Sequence, residues 1–230
     1  MGVNMEDIKD YDDKLIYIII FNVAFTLLIN DPSTFIENNA IISIILTVPI
    51  LFLPIYVITN IIPSELKFKI LYPDNKKHRY AYGIFTRLKN NKLKYNKKLI
   101  DMDIIVTNHG IPKTKTKEDD LWYAIYNKHK YDTKIYQQHK QFLFCRDFTT
   151  IILIITIIFS ILSLKFGFNS FIKTMIEIGI CEFVIFWILS RYKNKILVLS
   201  VLQEETESLK KMEYKYSTSI PKYFNFKNYT

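Results

Sequence analysis

Two acidic residues interrupt the last apolar stretch of the chain, and their position raises the clearest chemical question. The stretch reads TMIEIGICEFVIFWILSRYK (174–193) and contains Glu177 and Glu182. A charged side chain at the centre of a bilayer costs about 2.5–3.5 kcal/mol on insertion scales, so such residues usually face a protein interior, a water-filled cavity or another subunit. Asn22, midway along the first apolar stretch, is expected at a similar depth and is a candidate hydrogen-bond partner for Glu182.

The two glutamates do not share one narrow helix face. Five residues of α-helix separate them, a rotation of about 140°. We therefore expect one to meet a neighbouring helix of the same chain and the other to face a second copy. Two interpretations stay open: both acids are neutral hydrogen-bonding groups between helices, worth about 1–2 kcal/mol each in model helices, or they line an ion path through an oligomer.

A second candidate site is a group of basic and aromatic residues in the hydrophilic middle of the chain. Its members are Lys76, Lys77, Arg79, Tyr80, Tyr82, Arg87 and Lys89. Cations beside aromatic rings suit anionic lipid headgroups at a membrane surface. They also suit the phosphates and bases of a nucleotide or nucleic acid. The third interpretation is that these cations only keep the region cytoplasmic.

The segment 121–147 precedes the third apolar stretch and mixes aromatic with charged residues. The residues that we expect to transmit a signal from the cytoplasm to that stretch are Trp122, Tyr126, His139, Arg146 and Asp147. Trp and Tyr commonly lie at membrane interfaces, which favours this placement.

Catalytic and metal-binding patterns are missing from the sequence. The hydrophilic part contains no GxGxxG, phosphate-binding loop, GxSxG or paired cysteine motif. An enzyme would need His109, His129 and His139 to come together in space, and we predict no catalytic residue, metal or cofactor. The two cysteines, Cys145 and Cys181, are expected to be free thiols.

Four apolar stretches must position these residues: 15–29, 40–62, 148–164 and 174–193. A bilayer core needs roughly 20 apolar residues in a helix, with a lower limit near 17. The sequence therefore predicts an α-helical polytopic membrane protein with four transmembrane helices. Between spans 2 and 3 it predicts a small α+β domain, with FKILY and RYAYGIF as strands and helices after Asp119 or Asp120 and after Asp132 or Thr133.

The predicted domain plan follows from the separation of apolar and charged residues along the chain. It consists of an N-terminus at 1–14, a transmembrane hairpin at 15–62, a basic domain at 63–147, a second hairpin at 148–190, and a helical extension and tail at 191–230.

Charge sets the predicted orientation in the membrane. The interval 63–147 holds 19 of the 31 lysines and arginines, and the chain after residue 190 holds eight more. The first connecting loop, NDPSTFIENN, holds none. Because basic loops stay cytoplasmic, both termini and the basic domain are predicted to be cytoplasmic.

Four apolar stretches around a basic region at 63–147 resemble the four-span membrane subunits of bacterial phage-defence systems such as Kiwa. The resemblance implies an oligomer in the inner membrane that pairs detection with a cytoplasmic partner or with membrane damage. We accordingly expect a non-enzymatic, homo-oligomeric sensor or effector that forms a pore or perturbs the membrane under control of its basic domain. The alternative is a membrane scaffold that recruits a soluble partner protein.

Overall fold

The structure, a computed structural model, is helical through most of the chain that it describes. The described residues are 12–30, 61–73, 80–90, 99–110, 112–166 and 170–219. Their helices are α1 (Asp12–Asn30), α2 (Ser64–Leu71), α3 (Ile84–Lys89), α4 (Met102–His109), α5 (Lys115–His129), α6 (Thr133–Phe166) and α7 (Ser170–Ser219). None of these described residues lies in a β-strand. The predicted α+β domain is therefore wrong.

The predicted strands FKILY and RYAYGIF instead contribute the end of α2 and the start of α3, and the described part of RYAYGIF before Ile84 is a turn. Ile84, Phe85 and Leu88 on α3 are all buried and lie on one helix face. A short apolar run cannot by itself distinguish a buried strand from a buried helix turn. Gly83 precedes α3 with a φ of 67°, a left-handed conformation that glycine adopts readily, so the chain turns directly into the helix.

Helices α4 and α5 begin at residues whose side chains accept hydrogen bonds from the first turn. The Asp101 carboxylate accepts from the Ile104 amide at 3.3 Å. The Thr114 hydroxyl accepts from the Lys117 amide at 3.3 Å. Such caps satisfy amides that have no partner within the helix. Helix α5 thus begins before Asp119 and Asp120, the caps expected from sequence.

Among the described helices, one is long and apolar enough to cross a membrane. It is the segment Thr133–Lys165, which makes up almost all of α6. The apolar part of α1, Tyr17–Asn30, is shorter. At 1.5 Å per residue its 14 residues reach about 21 Å, less than a hydrocarbon core about 30 Å thick.

The fourth predicted span is not among the candidate spans of the described residues. The apolar half of α7 carries Lys173, Glu177 and Glu182 within one continuous helix. The second predicted span, 40–62, lies outside the described residues except for its last two. The predicted fold class of four transmembrane helices with an α+β domain is therefore contradicted by one candidate span and no strand among the described residues.

The chain divides into two compact units, each built from separate stretches of sequence. Unit 1 comprises Met1–Arg79 and Tyr136–Lys195, and unit 2 comprises Tyr80–Ile135 and Ile196–Thr230. The predicted basic region 63–147 contributes to both.

The core of unit 1 lies between α1, α6 and the first part of α7. Phe159, Ile172 and Met175 form one buried cluster within it. The two long helices approach closely at Gly179, where an added Cβ would overlap the Thr156 hydroxyl. A larger residue at position 179 would require the Thr156 side chain to move.

The core of unit 2 gathers α3, α4, α5 and the later part of α7. Phe85, Ile105, Ile125, Val201 and Leu202 are each almost fully buried in it. This core supports the polar cluster that is described next.

Candidate functional site

The most concentrated polar chemistry in unit 2 surrounds Glu205, on the later part of α7. The Glu205 side chain is fully buried. Its carboxylate accepts hydrogen bonds from Lys128 Nζ at 2.8 and 3.0 Å. His129 Nε2 lies 2.5 Å from Glu205 Oε2, and His109 Nε2 lies 2.9 Å from Oε1. We call Glu205, His109, Lys128, His129 and Asp132 the Glu205 cluster.

Two helix ends bring the basic side chains to Glu205. His109 is the last residue of α4, which Gly110 terminates with a φ of 71°. Lys128 and His129 are the last two residues of α5. Cationic side chains are favoured at helix C-termini because the final carbonyls carry partial negative charge. One carboxylate therefore joins α7 to the ends of two helices.

His129 lies between two carboxylates. Its Nδ1 is 3.0 Å from Asp132 Oδ2, while its Nε2 faces Glu205. Carboxylates accept hydrogen bonds, so both ring nitrogens must carry protons for both bonds to form. In that state His129 is a cation, and its charge is shared between Glu205 and the half-exposed Asp132.

The surroundings of Glu205 strongly favour its ionised form. Burial by itself would raise the pKa of this carboxyl, but hydrogen bonds from Lys128, His129 and His109 outweigh burial and lower the pKa to about 2. Glu205 is therefore an anion at every physiological pH. It holds α4, α5 and α7 together and has no capacity to act as a general acid there.

A cleft of about 380 Å³ opens beside the exposed side of the cluster. Its walls are formed by His129, Asp132, Glu204, Ser208, Lys211, Met212 and Lys215. Acidic and basic side chains are mixed in these walls, so the cleft has no single preferred charge.

The cluster does not form a metal site. No group of three or more His, Cys, Asp or Glu in the described part of the chain is arranged to hold a metal ion. His109 and His129 share Glu205, whereas His139 belongs to the other unit. Of the three histidines that an enzyme would need together, His109 and His129 thus both contact the carboxylate of Glu205, and His139 is not part of this cluster.

A second buried glutamate in unit 2 caps a helix from a distance. Glu118 on α5 accepts a hydrogen bond from the Thr86 amide at 3.0 Å and a second from the Thr86 hydroxyl. Gly83, at the cap position of α3, has no side chain to do this. Glu118 thus supplies the acceptor, and its charge suits the positive end of the helix.

In unit 1, the Asn22 amide donates to Glu182 Oε2 at 2.7 Å. The hydrogen bond expected from the similar membrane depths of these two residues is therefore present. Both residues line a cavity of about 50 Å³ whose other walls are almost entirely apolar. Thr26, one turn further along α1, bonds to the Asn22 carbonyl and to Met175. A polar contact thus joins α1 to α7 inside an apolar unit.

Glu177 has a different environment. Its side chain is 64% exposed, and its only recorded contact in the described structure is a 3.9 Å ion pair with Lys173, one turn earlier on α7. The expectation that the two glutamates face different neighbours agrees with this geometry. What Glu177 meets outside the chain stays a prediction.

The residues expected to transmit a signal fall on two helices. Trp122 and Tyr126 lie on α5, where their rings stack at 5.5 Å and Trp122 Nε1 donates to the Val198 carbonyl at 3.3 Å. His139, Arg146 and Asp147 lie on α6, in the other unit. Their role in coupling stays a prediction.

Arg146 and Asp147 belong to a buried ionic group that includes a residue not singled out from sequence. Lys67 Nζ lies 3.3 Å from Asp147 Oδ1, and Arg146 contacts the same oxygen at 2.8 Å. All three residues are less than a tenth exposed. The Arg146 guanidinium also lies 5.4 Å from the centre of the Phe68 ring. Helix α2 is thereby fixed to the polar end of α6.

The basic aromatic patch is described only in part. Lys76, Lys77 and Arg79 lie outside the described residues. Arg87 bonds to the Tyr80 carbonyl and stacks 4.7 Å from the Tyr80 ring centre, so its charge is already engaged within unit 2. Lys89 is exposed, and Tyr82 is partly buried.

No protein-family model matches this chain, and no match is found among curated proteins or among solved structures.

Proposed function

We propose that the protein is a non-enzymatic sensor or effector embedded in the bacterial inner membrane through unit 1. One helix, α6, is long and apolar enough to cross a bilayer. Large apolar side chains are also exposed on all three long helices of unit 1, among them Phe21, Phe25, Ile157, Ile161, Ile185 and Ile188. Soluble monomers rarely expose so many, and lipid is the solvent that suits them.

The observation that carries the proposal is the Asn22–Glu182 hydrogen bond at the wall of an apolar cavity. Polar pairs at membrane depth are uncommon and mark functional or helix-joining contacts. A water molecule needs roughly 10–15 Å³ of such volume, so the 50 Å³ cavity has room for a few waters at most and is no open pore. An effector would therefore need movement of these helices, or a second copy, to conduct.

The charge distribution supports a cytoplasmic position for unit 2 and for both termini. Nineteen of the 31 basic residues lie between residues 63 and 147, and eight more follow residue 190. Basic segments next to membrane helices are retained in the cytoplasm. The cleft beside His129 and Lys211 is the part of unit 2 that we propose for a cytoplasmic trigger.

The effector function is tested by ion flux. The full chain is reconstituted into vesicles of anionic and zwitterionic phospholipid loaded with an ion-sensitive dye, and it is also overproduced in bacteria while membrane potential is recorded. We expect flux or depolarisation, with a several-fold reduction in Glu182→Gln and no reduction in Glu213→Gln, a change at an exposed site. Absence of both flux and depolarisation contradicts the effector function.

The second candidate is a membrane scaffold that recruits a soluble protein. Tyr123 and Tyr131 favour it, because both rings in unit 2 are about half exposed and Lys130 lies 5.1 Å from the Tyr131 ring. Exposed tyrosine beside a cation is typical of protein interfaces. A scaffold predicts that Tyr123→Ala with Tyr131→Ala abolishes co-purification of the partner, whereas Glu182→Gln leaves it unchanged.

A further inference from the structure

Helix α7 has a broad exposed face that also includes Ile180 and Ile185, and along its middle runs a stripe of residues whose composition does not suit lipid alone. The stripe consists of Glu177, Cys181, Val184 and Ile188, spaced four, three and four residues apart. At 100° per residue they lie within about 60° of one another on the helix. All four side chains are exposed, whereas Glu182 and Met175 on the opposite side face the interior of unit 1.

The carboxylate of Glu177 is the feature of the stripe that suits lipid least. It lies about 10 Å along the helix from Ser170, at 1.5 Å per residue, within the apolar half of α7. Its side chain is 64% exposed. Ionisable side chains at such positions usually meet another protein surface rather than acyl chains.

We propose that this stripe is the contact with a second copy of the same chain, with the two α7 helices parallel about a twofold axis. The inference rests on the membrane placement of unit 1 proposed above. A four-three-four spacing is the seam of a two-stranded coiled coil. In a twofold contact the same surface serves both partners.

Charge complementarity favours a second copy over other occupants. Lys173 precedes Glu177 by one turn on the same side of the helix. A parallel twofold pairing places Lys173 within reach of the partner's Glu177 and Glu177 within reach of the partner's Lys173. The same register also brings the two Glu177 carboxylates near the axis, where the two Lys173 ammonium groups offset their repulsion and each acid is shielded from lipid. Cys181 and Val184 are small enough for the backbones to approach closely.

The two cysteines of the chain make the proposal directly testable. Cys181 is exposed within the stripe, and Cys145 is buried. The twofold contact places Cys181 opposite the partner's Cys181, and a disulfide forms when the two Cα atoms lie within about 7 Å. We therefore expect copper-phenanthroline oxidation of the full chain in isolated membranes to yield a covalent dimer.

Three variants provide the controls. Cys145→Ser should leave the dimer yield unchanged, and Cys181→Ser should abolish it. The third is Leu164→Cys in the Cys181→Ser background, at an 83% exposed position on α6 outside the stripe. It should give at least fivefold less dimer than the original chain. Equal yields from the original chain and from this third variant would mean random collision and would overturn the proposal, as would the absence of a Cys181 dimer.

A charge exchange tests the pairing itself. Glu177→Lys alone places four lysines together and should reduce the Cys181 dimer several-fold, and the double variant Lys173→Glu/Glu177→Lys should restore it. Failure of the double variant to restore the yield contradicts the pairing.

Membrane fractionation of the same samples separates the two proposals. A chain that pellets with membranes but does not cross-link refutes only the interface, whereas a chain recovered in the soluble fraction refutes the membrane function.

Discussion

Asn22 on α1 and Glu182 on α7 are joined by a 2.7 Å hydrogen bond although 160 residues separate them in the chain. The bond connects the first and last apolar helices of unit 1 beside a cavity with apolar walls. Apart from Thr156, the other side chains that line this cavity are apolar. The pair therefore fixes the position of α1 against α7.

Replacing Glu182 by leucine should weaken unit 1, whereas replacing it by glutamine should not. Glutamine retains an oxygen that accepts from Asn22, but leucine leaves the Asn22 amide without its partner. Interhelical hydrogen bonds of this kind contribute about 0.6–2 kcal/mol. Thermal unfolding in detergent should show a lower midpoint for Glu182→Leu and a near-unchanged one for Glu182→Gln. A midpoint for the leucine variant equal to that of the original chain contradicts a stabilising role for the bond.

Removing the Glu205 carboxylate should be among the most damaging single changes in unit 2. Glu205→Ala leaves Lys128 and His129 without their shared anion, and because Lys128 is 42% exposed and can be hydrated instead, we expect a loss of about 1.5–3 kcal/mol. Chemical denaturation should show this loss. Glu213→Gln is the matched control, since Glu213 is exposed on the same helix, and it should change the free energy of unfolding by less than about 0.5 kcal/mol. A cost for Glu205→Ala as small as the control's would show that the cluster adds no stability.

The Glu205 cluster also predicts a loss of stability in acid. The pKa of Glu205 is about 2 in the folded chain, below the value near 4.3 for an unfolded glutamate. The lower folded value means that Glu205 stabilises the fold fully above about pH 5 and loses that contribution as the pH falls towards 2. The free energy of unfolding should therefore fall more steeply between pH 5 and 3 than it does in Glu205→Gln. Parallel pH profiles for the two proteins would contradict the assignment.

Glu118→Ala should destabilise helix α3, because this glutamate supplies the acceptor for the Thr86 amide. Loss of a helix cap typically costs about 0.5–2 kcal/mol, and burial of the unpaired amide adds to it. Asp120→Ala is the control, since Asp120 is exposed on the same helix. Hydrogen exchange should show faster exchange of the amides of Ile84–Lys89 in the first variant only. Equal exchange in both variants would rule out capping by Glu118.

The described apolar stretches 15–29, 148–164 and 174–193 were predictable as helices from their length and composition, although only α6 is a candidate membrane span among the described helices. The helix expected from Asp132 or Thr133 through the third apolar stretch is present as α6. The Asn22–Glu182 bond follows from the rule that polar groups at similar membrane depth find each other. Neither inference requires knowledge of the tertiary fold.

Short elements and the Glu205 cluster were not predictable in the same way. A five-residue apolar run such as FKILY suits a strand or a helix turn, and packing decides between them. Helix α4 begins after Asp101 and ends before Gly110, and both residues are helix boundary signals that can be read in the sequence. Glu205 lies 76 residues from His129 and 96 from His109, so no local spacing connects them. Lys67 was missed for the same reason, since its partner Asp147 lies on a distant helix.

Alkaline carbonate extraction of membranes from cells that produce the full chain tests most directly whether unit 1 resides in lipid. Carbonate at high pH releases peripheral proteins and leaves integral proteins in the membrane pellet. We predict that the chain stays in the pellet and is released only by detergent, because the exposed apolar side chains of α1, α6 and α7 have no other suitable solvent. Recovery of the chain in the carbonate supernatant, monodisperse without detergent, would contradict the membrane placement and the function built on it.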